Sequence, residues 1–183
     1  MKLTTRARRR IIVATAVACA AGLWPASALA AQASQADAGA VAPACETPGL
    51  VVWLNTNGNA GAGSISYQMK FTNLSGHRCT LNGFPFVLGV GLAGHQIGRR
   101  ASFDRSHPPL TVTILAGKTA TAVLRVDEVG DFSPSSCSPR TAAGLKVFPP
   151  NQTRSKTIPF PFAACSTRGL KAPFYMRVGP VTK

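Results

Sequence analysis

An all-β sandwich of about eight strands is the fold this sequence predicts, and three observations carry it. Two stretches, residues 64–72 and 118–126, alternate apolar and polar residues with the period of a half-buried strand. Shorter apolar runs recur between clusters of Gly, Pro, Asn and Ser. No stretch of ten or more residues shows a helical period opened by a capping residue.

In chain order, Val51-Val52-Trp53-Leu54 belongs to a short apolar strand over residues 50–54. Trp53 is expected in the core, since an aromatic inside an apolar run is more often buried than offered to a sugar. Residues 55–63, with three Asn and three Gly, read as a mobile connection. The next strand places Ile65, Tyr67, Met69 and Phe71 on one face against Ser66, Gln68 and Lys70. Residues 85–90 are a further short strand. Leu110, Val112 and Ile114 alternate with Thr111 and Thr113, and Ala120, Ala122, Leu124 and Val126 follow after Ala116-Gly117. That pairing predicts a hairpin. Residues 145–148, 157–163 and 174–178 complete the strands. In Ile158-Pro159-Phe160-Pro161-Phe162 the prolines stand two apart, so both missing N–H groups face one side. This run is predicted as an edge strand whose prolines block further pairing.

The 183 residues include 20 Lys plus Arg, 6 Asp plus Glu and five Cys, with a net charge of +14. A chain that is 45% hydrophobic and only 14% charged excludes a disordered protein. Lys2, Arg6, Arg8, Arg9 and Arg10, then an apolar stretch over 11–23, then Ala28-Leu29-Ala30 form a secretory signal peptide over residues 1–30, cleaved after Ala30. Ala16-Val17-Ala18-Cys19 lacks the Leu of a lipobox, so no lipid is expected at Cys19. The Arg8-Arg9-Arg10 run lacks the remaining features of a twin-arginine signal, and plain secretory export is expected. Residues 31–44 read as a flexible linker and 45–183 as one folded domain. No transmembrane segment is expected, because each later apolar stretch is interrupted by polar residues or Pro. Loss of five basic residues with the signal leaves 15 of the 20 against the six acids, a net charge of +9.

Removing Cys19 leaves Cys45, Cys79, Cys137 and Cys165. Four cysteines in an exported chain argue for two disulfides, and three connectivities are open. Cys45 with Cys79 and Cys137 with Cys165 is favoured, because each pair ties a loop or terminus to the nearest sheet. Each bond would be worth roughly 3.5 to 4 kcal/mol in the chain-entropy account.

Taken in order, Cys45, Phe71-Thr72-Asn73, Cys79-Thr80-Leu81-Asn82-Gly83-Phe84-Pro85, Leu115-Ala116-Gly117, Cys137, Val147-Phe148-Pro149-Pro150 and Cys165 resemble an actinobacterial family of exported proteins, domain of unknown function 4232. The resemblance spans residues 45–181. It implies an immunoglobulin-like sandwich with two disulfides, exported and sometimes anchored in the envelope, and it implies no reaction.

Candidate chemistry must therefore come from the residues themselves. His77, His95 and His107, with Met69 or Met176, could gather a transition metal such as copper at one end of the sandwich. Nothing in their spacing demands it, so no metal and no cofactor are expected. Asp104, Asp127, Glu128 and Asp131 could serve a hydrolase, but G-x-S-x-G and H-E-x-x-H are both absent. An enzyme is not expected; a metal-binding or hydrolytic secreted protein is the alternative. Arg99, Arg100 and Arg105 cluster around Phe103, and Arg154, Lys156, Arg168, Lys171, Arg177 and Lys183 bias the C-terminal third. They point to contact with an anionic envelope polymer or a protein partner. Nucleic acid is not expected, since the basic residues lack interleaved aromatics and the chain is exported. Asn73-Leu74-Ser75 and Asn151-Gln152-Thr153 match the glycosylation pattern without further support. A monomeric, non-catalytic binding or interaction module is the reading these residues favour.

Overall fold

Alternation becomes sheet in the computed structural model, which describes residues 41–183. The predicted signal peptide, Cys19 and residues 31–40 of the predicted linker lie outside the described residues. Eleven strands form three sheets: β1 (Leu50–Gly61), β2 (Ser64–Asn73), β3 (Cys79–Asn82), β4 (Phe86–Val90), β5 (Gln96–Ile97), β6 (Ser102–Phe103), β7 (Thr111–Ile114), β8 (Thr119–Asp127), β9 (Pro139–Phe148), β10 (Lys156–Cys165) and β11 (Met176–Val178). Eight have four residues or more, and β5, β6 and β11 are the short ones that periodicity cannot reveal.

The five-stranded sheet runs β1-β2-β8-β11-β6, the four-stranded sheet β10-β9-β4-β5, and β3 pairs with β7. All pairings are antiparallel except β11 with β6. One core joins the sheets. Val52, Leu54, Met69, Phe71, Ala120, Ala122 and Leu124 of the first sheet meet Val87, Leu145, Val147, Ile158 and Phe160 of the second, with Leu81, Val112 and Ile114 of the pair. Tyr67 on β2 and Phe160 on β10 pack edge to face across the layers, their ring centres 4.9 Å apart.

Both favoured disulfides are present, Cys45–Cys79 and Cys137–Cys165. The first binds the chain entering the domain to β3. Ahead of it, Ala44 bridges Thr80, and Cys45 N–H donates to the Thr80 carbonyl at 2.8 Å. The second binds a helical turn, Pro134–Cys137, to the end of β10. β10 is an edge strand, with Ile158 and Phe160 buried and Pro159 and Pro161 exposed. Its register shifts between Pro159 and Phe162, so the prolines also bend the edge.

Three expectations are corrected. Residues 55–61 are strand, not loop: β1 continues through them, paired with β2 as far as Gly61 opposite Ser64, and a register shift lies between Asn55 and Asn59. β7 and β8 are not a hairpin. The turn over residues 115–118 has a left-handed residue only at Gly117 (φ 72°), whereas a two-residue hairpin loop needs a primed turn whose twist matches the strands. Asn73 then takes up the bonds such a hairpin would use. Its N–H donates to the Lys118 carbonyl, its carbonyl accepts from Gly117 N–H, and Nδ2 donates to the Ile114 carbonyl at 3.0 Å. The chain therefore crosses from one sheet to another. Finally, Trp53 is not core. Leu50, Val52 and Leu54 fill the inward positions of β1, which leaves Val51 and Trp53 facing out, Trp53 42% exposed.

Candidate functional site

The basic cluster is assembled where β5 hands the chain to β6. Gly98 follows β5 with φ 63°, and a Cβ there would lie 1.8 Å from the Cys165 carbonyl oxygen, so only glycine fits. This close approach sets Arg99 and Arg100 beside the segment over residues 166–174. Arg99 Nη1 donates to the Ala172 carbonyl at 2.9 Å, and its guanidinium lies 3.6 Å from the Phe174 ring centre. From the same segment, Arg168 Nη2 donates to the Gln96 carbonyl. Arg100 is exposed, with its guanidinium 5.2 Å from the ring centres of both Phe86 and Phe103.

Together these residues enclose a shallow hollow of about 390 Å³, lined by Gln96, Gly98, Arg99, Arg100, Arg168, Gly169, Leu170 and Phe174. No acid lines it. Three arginines therefore line one concavity, two of them bonded there to backbone carbonyls, and each fork keeps donors to spare. Arg99 is the most committed, because it pins the 166–174 segment. Arg100 and Arg168 carry the positive charge toward solvent.

Arg105 does not line this hollow; it sits past β6 in the exposed loop that also holds His107. Arg168 takes the third position. Sixty-nine residues separate it from Arg99, and only the packing of the 166–174 segment brings them together. Leu170 and Phe174 were likewise invisible as site residues, since both lie some seventy residues or more from Arg99 in the chain.

The three histidines fall in three exposed places. His77 follows β2 and its carbonyl accepts from Asn73 Nδ2 at 2.7 Å; His95 lies in the β4–β5 turn; His107 lines a groove of about 680 Å³ with Leu110, Val123 and Pro180. Met69 and Met176 are fully buried core residues rather than partners of those loops. Among the described residues no three His, Cys, Asp or Glu side chains come close enough together to hold a metal ion.

The four candidate acids are engaged by neighbouring groups or stand exposed. Asp127 accepts from Arg125 Nε at 3.0 Å and lies 4.0 Å from Arg177 Nε. Asp104 accepts from Ser106 N–H, and that hydrogen bond, helped by the Ser106 hydroxyl and by His107 and Arg177, holds its carboxyl below the usual value. Glu128 and Asp131 are exposed at the end of β8. Of the two glycosylation-pattern asparagines, Asn73 is fully buried with its amide engaged. Asn151 is exposed, and its Nδ2 donates to the Asn82 carbonyl.

No helix among the described residues is long and apolar enough to cross a membrane. No curated protein matches the chain significantly. A family model described as a domain of unknown function, DUF4232, matches residues 45–182, which runs from the first disulfide cysteine to the penultimate residue. The chain belongs to the DUF4232 family.

Proposed function

We propose that this protein is a non-catalytic binding module of the cell envelope or its exterior, and that the Arg99–Arg100–Arg168 hollow docks an anionic polymer. The observation that carries this reading is that three arginines, and no acid among the described residues, line one concavity. Guanidinium forks match phosphate and carboxylate groups in a bidentate geometry, and an open hollow suits a chain better than an enclosed small molecule. Two disulfides favour an oxidising compartment. Export also explains the choice of polymer: phosphate- or carboxylate-bearing glycans are the polyanions available there, and nucleic acid is not. The protein acts as a monomer in this account, and no cofactor takes part.

Co-sedimentation of the oxidised protein with isolated cell-wall material across a salt series tests it. Retention is expected at low salt, falling as the Debye length shrinks from about 30 Å at 0.01 M to about 8 Å at 0.15 M. Arg100→Glu with Arg168→Glu is expected to weaken retention about tenfold or more. Retention that ignores both salt and this double substitution would falsify the reading.

A further inference from the structure

We propose that the outward face of the five-stranded sheet is a second binding site, where a polysaccharide stacks a sugar ring on Trp53 and sets an acidic group against Lys70. This does not rest on the arginine hollow. Trp53 is on β1 of the five-stranded sheet, whereas no residue of that sheet lines the hollow, whose one strand residue, Gln96, belongs to the four-stranded sheet.

Register defines the face. Three rows cross the strands: Val51 with Thr72 and Thr119, Trp53 with Lys70 and Thr121, Asn55 with Gln68 and Val123. The residues between them, Val52, Leu54, Met69, Phe71, Ala120 and Ala122, are buried, so every member of these rows is turned away from the core. Val51, Trp53 and Val123 are 44%, 42% and 50% exposed. The face thus sets an aromatic and two aliphatic residues among hydroxyls, an amide and an ammonium group.

The indole is held in place. Its Nε1 donates to Thr72 Oγ1 at 3.3 Å, and Thr72 in turn shares a hydrogen bond of 2.9 Å with Thr119. Lys70 Nζ donates to Thr121 Oγ1 at 3.1 Å, which fixes the ammonium one strand away and leaves it two further donors. A ring fixed before binding loses little rotamer freedom on contact.

The chemistry of this arrangement selects its ligand. The C–H face of a pyranose is apolar and covers a flat aromatic, while its hydroxyls project around the rim, where side chains about 4.8 Å away on the next strand can meet them. Thr72 and Lys70 occupy those positions on β2, and Thr119 stands one strand further on, on β8. The strands of the sheet carry Lys70, Arg125 and Arg177 against one acid, Asp127, which the two arginines already engage. Lys70 therefore remains without an opposing carboxylate in its rows, and an acidic sugar completes it. A second copy of the chain would bring the same cations to the same face and be repelled.

The test uses polygalacturonate, its neutral methyl ester, and poly-L-glutamate as a polyanion without sugar rings. Trp24 is the only other indole of the chain, so Trp53→Phe protein supplies the fluorescence background. Saturable change in Trp53 emission with polygalacturonate is expected, at least tenfold weaker binding in Trp53→Ala, and loss of the preference for the acid over its ester in Lys70→Gln. The Arg100→Glu/Arg168→Glu protein is expected to keep this signal, which separates failure here from failure of the hollow. Three results would overturn the proposal: no emission change with polygalacturonate, polyglutamate binding as tightly and as dependent on Trp53, or a concentration-dependent dimer abolished by Trp53→Ala.

Discussion

Replacing either cystine by two alanines should cost a large share of the domain's stability, and the loop lengths say how much. Cys137–Cys165 spans 28 residues and Cys45–Cys79 spans 34. The chain-entropy relation gives about 3.6 kcal/mol for the first and about 3.8 kcal/mol for the second at 25 °C. All four sulfurs are buried, so truncation to alanine adds roughly 1 kcal/mol per pair for lost packing, while serine would add the cost of a buried hydroxyl. Each double variant is therefore expected to lose about 4 to 5 kcal/mol. The loops do not overlap, so the losses should add. Against the 5 to 15 kcal/mol typical of a domain, the cystine-free protein is left close to unfolding. Equilibrium urea denaturation under non-reducing conditions measures this through midpoint and slope. A loss under about 1 kcal/mol for Cys45→Ala/Cys79→Ala would refute the reasoning. It would mean that the hydrogen bonds of Thr80 with Cys45 N–H and the Pro43 carbonyl already close that loop without the sulfur link.

Arg99→Ala should release the 166–174 segment, losing the bond to the Ala172 carbonyl and the Phe174 stack at a cost of about 1 to 2 kcal/mol; trypsin cleavage after Arg168 and Lys171 should accelerate, and unchanged cleavage would contradict the clamp. Asn73→Ala strands the carbonyl of buried Ile114 and removes the side-chain part of the β7–β8 crossing, while the backbone bonds with Lys118 and Gly117 remain, for an expected loss of about 2 to 4 kcal/mol by urea denaturation; a loss under 1 kcal/mol would show that the backbone bonds hold the crossing alone. Burial pushes the Tyr175 hydroxyl above its ordinary value of 10, so the folded state keeps a proton that the unfolded chain releases. Stability from this group is complete below pH 10 and falls as pH rises beyond it. Tyr175→Phe loses the hydrogen bond to the Ile97 carbonyl, about 1 kcal/mol at neutral pH, yet the gap to the unsubstituted protein should narrow above pH 10. A gap that widens there would contradict the assignment.

Much of this fold was legible because one face of a strand must be apolar. β2 and β8 announced themselves by alternation, and the prolines of β10 announced an edge, since a missing N–H has a visible place only where nothing pairs. Trp53 misled because β1 begins with five apolar residues in succession, and such a run conceals which phase faces inward. The signal that could have resolved it is the shift to Asn55, which continues the Val51–Trp53 phase and marks it as the outer one. The β7–β8 crossing was hidden in Asn73, whose role depends on a turn over forty residues later in the chain. The hollow was half legible: Arg99 and Arg100 are neighbours in sequence, while Arg168, Leu170 and Phe174 join them only through the close passage of Gly98 beside Cys165.

A cycle of four proteins tests the central claim most directly: the unsubstituted chain, Arg100→Glu/Arg168→Glu, Trp53→Ala, and the combination, each measured for retention on isolated cell-wall material at low and physiological salt. Two surfaces that share no residue should contribute independently, so the losses in binding free energy should add, with strong salt dependence only in the arginine arm. Four proteins retained alike at both salt concentrations would contradict the account.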